Sequence, residues 1–130
     1  MRTSKKYSIK KSRAGLGMFA AGPIRKGELV AEYVGKLISN KEADEHGGRY
    51  LFAINSRWTI DGTTRKNIAR YINHACRPNC EPEVVGHRIF IYAKRKINVG
   101  EEITYDYGKE YFDEFIQPKG CQCSYCRNKK

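Results

Sequence analysis

The chain has no run approaching the roughly twenty apolar residues that a membrane-spanning helix needs. Its basic opening, Met1-Arg2-Thr3-Ser4-Lys5-Lys6, is not followed by an apolar stretch, so a secretory leader is not expected and an intracellular location is. Internal repeats and low-complexity linkers are missing too, which argues against solenoids and tethered arrays. Sustained helical periodicity is scarce, which excludes a helical bundle. Acidic residues are few: 14 Asp and Glu stand against 25 Lys and Arg, for a formal charge of +11 in 130 residues. Residues 2–13 contain no acid but hold Arg2, Lys5, Lys6, Lys10, Lys11 and Arg13, and the chain closes on Arg127-Asn128-Lys129-Lys130. Such ends either attract a polyanion such as nucleic acid or simply keep the protein soluble.

What is present reads as one domain of many short strands. Glycine and proline punctuate the chain, and branched or aromatic runs lie between them. Residues 28–34, 50–54, 58–61, 88–93 and 103–105 are strand candidates, and 88–93 is apolar enough to be buried on both faces. A short helix is expected from Asn40 to Glu45, capped by Ser39 or Asn40, and a turn or two of helix or 3-10 helix from Thr64 to Tyr71. The fold class is therefore mostly β. Residues 112–130 show no core pattern, so their order should depend on metal and ligand.

Five cysteines include the set Cys121-x-Cys123-x-x-Cys126. Inside a cell this spacing favours a metal over a disulfide framework. Tetrahedral zinc needs a fourth ligand, for which Cys76 and Cys80 are the candidates. Glu101, Glu102, Asp106, Glu110, Asp113 and Glu114 form an acidic cluster in a basic chain. It is a solvated face or a negative rim that attracts a basic peptide, and a buried, structural Asp106 is a further option.

Three further segments carry chemistry. Ala14-Gly15-Leu16-Gly17-Met18-Phe19 has two glycines whose missing Cβ atoms let backbone approach a ligand, although most such pairs are turns. Arg70-Tyr71-Ile72-Asn73-His74-Ala75-Cys76 offers an amide with both donor and acceptor beside an imidazole; alone, it reads equally as a turn cap with a satisfied interior histidine. Gly100-Glu101-Glu102-Ile103-Thr104-Tyr105-Asp106-Tyr107 carries two of nine tyrosines, residues that usually serve core packing.

These segments, in this order and followed by the cysteine set, resemble the SET domain, the family of protein-lysine methyltransferases. The resemblance runs from about Tyr7 to Arg127 and is nearest to the trithorax-like group and the minimal bacterial and viral members. It implies a fold of several small curved sheets with a threaded C-terminal segment, plus a short zinc-bound post-SET tail. The corresponding segments are a basic extension at 1–6, the SET domain at 7–108 and the tail at 109–130.

The resemblance further implies S-adenosyl-L-methionine as methyl donor, held by Ala14, Gly15, Leu16, Gly17, Tyr50, Arg70, Asn73 and His74. Tyr107 would be the catalytic tyrosine, with Tyr105 and Tyr33 lining a lysine channel. Structural zinc would sit on Cys76, Cys121, Cys123 and Cys126, with Cys80 as the alternative to Cys76. The family's usual Ser after the histidine is Ala75 here, and the gap before the last cysteine is shorter than usual. The implied substrate is lysine in a basic protein, a histone tail by default, and a homodimer is open to minimal members. In a eukaryote or a host cell the location would be nuclear or chromatin-associated; in a bacterium it would be cytoplasmic. Tyr105 stands where the family alternates between Phe and Tyr, and Tyr there favours mono- or dimethylation. Two rival classes are a silent SET-like module that binds peptide or nucleic acid and a basic zinc module that binds nucleic acid.

Overall fold

A computed structural model describes residues 7–12, 15–47 and 50–108. Contacts divide the chain into two units: Met1–Glu28 with Tyr71–Glu81 and Ala93–Lys130, and Leu29–Arg70 with Pro82–Tyr92. The architecture is mostly β, with ten short strands in small sheets among the described residues.

The first unit is organised by one four-stranded sheet in the order β1-β2-β10-β7. Its strands are β1 (Tyr7–Ser12), β2 (Gly15–Ala20), β7 (Asn73–His74) and β10 (Glu102–Tyr105). Antiparallel pairing of β1 with β2 runs in unbroken register from Tyr7↔Ala20 to Ser12↔Gly15. Gly15 sits at φ +102°, a backbone conformation that only glycine adopts at low cost. Gly15 to Phe19, whose glycines suggested backbone approach to a ligand or a turn, lie in β2. β10 pairs antiparallel with β2 and parallel with β7 (Thr104↔Asn73, Tyr105↔His74). Met18, Ile24, Ile72, Cys80, Ile97 and Ile103 are all at most 1% exposed and form this unit's core.

One buried polar residue ties that core to β10. Asn79 is 3% exposed, and its Oδ1 accepts from Thr104 N–H (2.9 Å) while its Nδ2 donates to Glu102 C=O (2.8 Å). A buried amide is tolerated because both ends are satisfied.

The second unit holds the sheet β4-β6-β5, from Lys36–Ser39, Trp58–Asp61 and Leu51–Ala53. It also holds β3 (Leu29–Tyr33), which pairs antiparallel with β9 (Arg88–Ala93) in the sheet β3-β9-β8, where β8 is Cys80–Val85. Along β9 the burial alternates: Ile89, Ile91 and Ala93 are buried, Phe90 and Tyr92 only half-buried. The expectation of burial on both faces is corrected, because the Phe90 and Tyr92 rings cover a partly solvated face. The only α-helix among the described residues, α1 (Asn40–His46), starts where its cap predicts: Ser39 Oγ accepts from Glu42 N–H at 3.1 Å. It stops at Gly47, φ +66°, whose N–H returns to Ala43 C=O. A 3-10 helix covers Ile68–Tyr71.

Asn67 is the buried brace of this unit, at 0% exposure. Its Oδ1 accepts from Val34 N–H (3.1 Å) and its Nδ2 donates to Gly62 C=O (3.0 Å). Gly62 is glycine for steric reasons, since a Cβ there would lie 2.4 Å from Asn67 Nδ2 and 2.5 Å from Tyr33 Cε1.

Candidate functional site

Within the first unit the sheet brings together residues that the sequence separates widely. β10 is the hub. On one edge it meets β2 and on the other β7, so Gly15, Leu16, Gly17, Asn73, His74, Tyr105 and Tyr107 belong to one sheet and the residues that leave it. Gly15 and Leu16 are exposed, Leu16 by 50%, at the end of β2 that pairs with Ser12 and Lys11.

Asn73 is held on three sides. Its Nδ2 donates to Leu16 C=O (3.0 Å) and to Glu102 Oε2 (2.8 Å), and lies 3.4 Å from Ser12 Oγ. Ser12 Oγ donates in turn to Glu102, 3.0 and 2.9 Å from its two oxygens. Gly17 completes this arrangement by its lack of a side chain: a Cβ would fall 2.5 Å from Glu102 Oε2, 2.9 Å from Ser12 Cβ and 3.0 Å from Asn73 Nδ2. The glycine therefore makes room for a side-chain network, a role that the sequence did not show.

His74 accepts the Tyr107 N–H on Nδ1 at 3.1 Å, which leaves the proton of the neutral ring on Nε2, 3.5 Å from Cys76 Sγ. Burial lowers its pKa, opposed by the Asp106 carboxylate 3.7 Å from Nδ1. The neutral form is the one the geometry needs, since a protonated Nδ1 could not accept. Asp106 is itself exposed, so the option of a buried aspartate is corrected.

The Tyr107 hydroxyl donates to Ile72 C=O. Its ring packs edge-on against His74 (5.5 Å between centroids) and beside Tyr105 (4.9 Å), which is 5% exposed. Two phenols and an imidazole thus form one aromatic cluster at the end of β10 and β7. A hydroxyl that donates its proton keeps oxygen lone pairs as acceptors.

Tyr33, Tyr50 and Arg70 lie in the second unit. Tyr33 is 4% exposed and packs on Phe52 at 5.3 Å. The Arg70 guanidinium stacks 4.9 Å over the Tyr50 ring and donates to Thr63 C=O. Ala14, Cys121, Cys123 and Cys126 fall outside the described residues. Among the described residues no three His, Cys, Asp or Glu side chains gather as a metal site. The two cysteines weighed as fourth ligand differ sharply. Cys76 is half-buried, whereas Cys80 is 0% exposed and burial pushes its thiol up to about 12 despite nearby Arg95. Cys80 Sγ is enclosed by the core, whereas Cys76 keeps an accessible side.

Glu102, Ser12, Asn79 and Asn67 were not singled out by sequence as parts of a site. Glu102 stood inside a charge run, and the asparagines sat among turn-forming neighbours.

A family profile for the SET domain matches residues 15–108. Among curated proteins, the chain is 41% identical over 140 residues to "Histone-lysine N-methyltransferase set1" of Dictyostelium discoideum, with 95% of this chain covered and 9% of that protein. It is 42% identical over 125 residues to "Histone-lysine N-methyltransferase trithorax" of Drosophila melanogaster (87% of this chain, 3% of that protein). The match to human "Histone-lysine N-methyltransferase 2D" is 38% over 143 residues (98% and 3%). The chain thus spans less than a tenth of the length of these relatives, and the matched part corresponds to the strands and clusters just described. This chain belongs to the SET domain family.

Proposed function

We propose that the chain transfers a methyl group from S-adenosyl-L-methionine to lysine in a basic protein, with a histone tail as the favoured substrate. The observation that carries this reading is the Tyr105–Tyr107–His74 cluster, on the sheet that also holds Asn73 and the exposed Gly15 and Leu16. The relatives' names, all histone-lysine N-methyltransferases, support the same chemistry. In a eukaryote or a host cell this reading locates the protein at chromatin in the nucleus; in a bacterium it locates it in the cytoplasm.

The cofactor supplies an electrophilic methyl on a sulfonium. The donor set fits such a ligand: exposed residues at the start of β2, and an Asn73 side chain whose Oδ1 faces away from its own acceptors. Gly15, Leu16, Gly17, Asn73 and His74 hold it in this reading, with Ala14, Tyr50 and Arg70 assigned by resemblance. The remaining work falls to the lysine channel, assigned to Tyr107, Tyr105 and Tyr33. Free lysine has a pKa of about 10.4 and must arrive as a neutral amine. Aromatic walls strip water from the ammonium and disfavour its charged form. They also hold the aliphatic stem, so the nitrogen's lone pair is aimed in line.

Mono- or dimethylation follows from Tyr105. Its hydroxyl takes up space and binds the product amine, hindering the rotation that a further transfer needs. Tyr105→Phe should shift the product toward higher methylation, read by mass spectrometry of the modified peptide; an unchanged distribution would remove Tyr105 from the channel.

Structural zinc is assigned to Cys76, Cys121, Cys123 and Cys126, in a tail at 109–130 after a SET domain at 7–108. The difference between Cys76 and Cys80 supports the choice, and Nε2–H of His74 is suitably placed to donate to the Cys76 sulfur. Cys76→Ser should lower zinc content well below one per chain, while Cys80→Ser should leave it near one, by atomic absorption. The reverse result would exchange the two.

Methyl incorporation into histones from labelled cofactor tests the activity. Incorporation that Tyr107→Phe does not reduce would contradict it.

A further inference from the structure

Glu102 is not among the residues that the family resemblance assigns to the site, yet it sits at the centre of the best-connected polar group on this sheet. Its carboxylate accepts from Asn73 Nδ2 (2.8 Å to Oε2) and from Ser12 Oγ (2.9 and 3.0 Å). Those donors come from β7 and from the end of β1, while Glu102 begins β10 and pairs with Phe19 of β2. Its carboxylate thereby links β10 to β1 and β7, while its backbone pairs with β2. Gly17 leaves the space that the group fills.

The consequence for Asn73 is directional. A carboxamide has two ends of nearly equal size, and only its partners decide which end faces where. Here the inward end faces two acceptors, the Leu16 carbonyl and the Glu102 carboxylate. Turning the amide over would set Oδ1 against both, exchanging two hydrogen bonds for two repulsive contacts. The NH2 is therefore fixed inward and Oδ1 outward, where it has no hydrogen-bond partner among the described residues.

We infer that Glu102 is a positioning residue: it locks the Asn73 carboxamide so that the methyl-donor site is presented with an acceptor, never a donor. Ser12 steadies the carboxylate and Gly17 admits it. The inference rests on the methyltransferase reading, because it concerns the site which that reading places at Asn73. A lone neutral amide held in this way discriminates by charge as well as shape. A ligand group carrying N–H is accepted, and one carrying a carboxylate oxygen meets Oδ1 unfavourably.

The test is calorimetric titration with S-adenosylhomocysteine, the demethylated product, on wild type, Glu102→Ala, Glu102→Gln, Asn73→Ala and the Glu102/Asn73 double variant, with a thermal melt of each. Glu102→Ala frees the amide to turn and should weaken binding about tenfold, which is roughly 1.4 kcal/mol. Glu102→Gln keeps an acceptor oxygen for Asn73 and should recover most of the loss. The double variant should bind no worse than Asn73→Ala alone, since Glu102 acts through Asn73. In turnover the loss should fall on KM for the methyl donor, with kcat little changed. Additive losses, or a Glu102→Ala variant that melts lower but binds as tightly as wild type, would reduce Glu102 to a structural brace and overturn the inference. If wild type does not bind the ligand at all, the failure lies with the functional reading.

Discussion

Gly35→Ala should be among the most destabilising single substitutions in the second unit. A Cβ at Gly35 would stand 2.0 Å from the Asp61 carbonyl oxygen, 2.7 Å from its carbon and 3.0 Å from Gly62 Cα. All three are backbone atoms, so no rotamer change relieves the contact; β4 must part from β6 where Lys36 pairs with Asp61. Overpacking usually costs about 1–3 kcal/mol, and a clash that only the main chain can relieve belongs at the top of that range. For a chain this size about 3 kcal/mol corresponds to a fall in Tm of roughly 10 °C. Gly22→Ala is the control, because nothing lies within 4 Å of its Cβ position and its φ is not positive. Circular dichroism melts of both variants decide the matter. A Gly35→Ala protein that melts within 2 °C of wild type would mean that the strands are not this close.

The second large effect is on chemistry. Tyr107→Phe removes one hydroxyl, whose donated hydrogen bond to Ile72 C=O contributes on the order of 1 kcal/mol to folding. The ring keeps its packing against His74 and Tyr105, and the backbone N–H keeps its bond to His74 Nδ1, so the protein should remain folded and bind cofactor. Turnover should nonetheless fall at least ~100-fold, the scale on which small misplacements of reacting groups act. The hydroxyl is held by Ile72 with its lone pairs directed elsewhere, and an oxygen so fixed can orient a polarised methyl through weak C–H···O contacts. Stopped assays at saturating methyl donor and peptide measure the ratio of kcat values. A drop smaller than threefold would place the hydroxyl outside the reaction.

Much of the architecture was open to inspection in the chain itself, because it is written locally. Leu29–Tyr33, Trp58–Asp61 and Arg88–Ala93 carry branched and aromatic residues and are strands. Ser39 stands three residues before Glu42, whose N–H it takes, and α1 follows. The motif residues on β7 and β10 were recognised as a pair, and the structure sets them side by side. What escaped notice is encoded over distance. Lys10-Lys11-Ser12 has no strand signature, yet β1 forms because β2 offers it a complete ladder. Gly17 reads as room for a ligand, and the room it also leaves for Glu102 and Asn73, neither of them near it in sequence, is visible only in the fold. Asn67 and Asn79 look like turn residues, and only tertiary structure reveals amides buried at 0% and 3% with both ends bonded. Asp106, next to the aromatic cluster, gave no sign of whether it faced the core or water.

The parallel seam between β7 and β10 also constrains the order in which this protein is made. Tyr107 and His74 bond across 33 positions, and Tyr107 and Ile72 across 35. Joining segments so far apart requires closing a long loop before any contact rewards it, so this seam should assemble late in folding. A nascent chain still inside the ribosome at residue 107 has the Asn73 segment but nothing to pair it with. In the proposed reading the methyl donor binds only molecules that have completed the seam, and it raises their population by mass action.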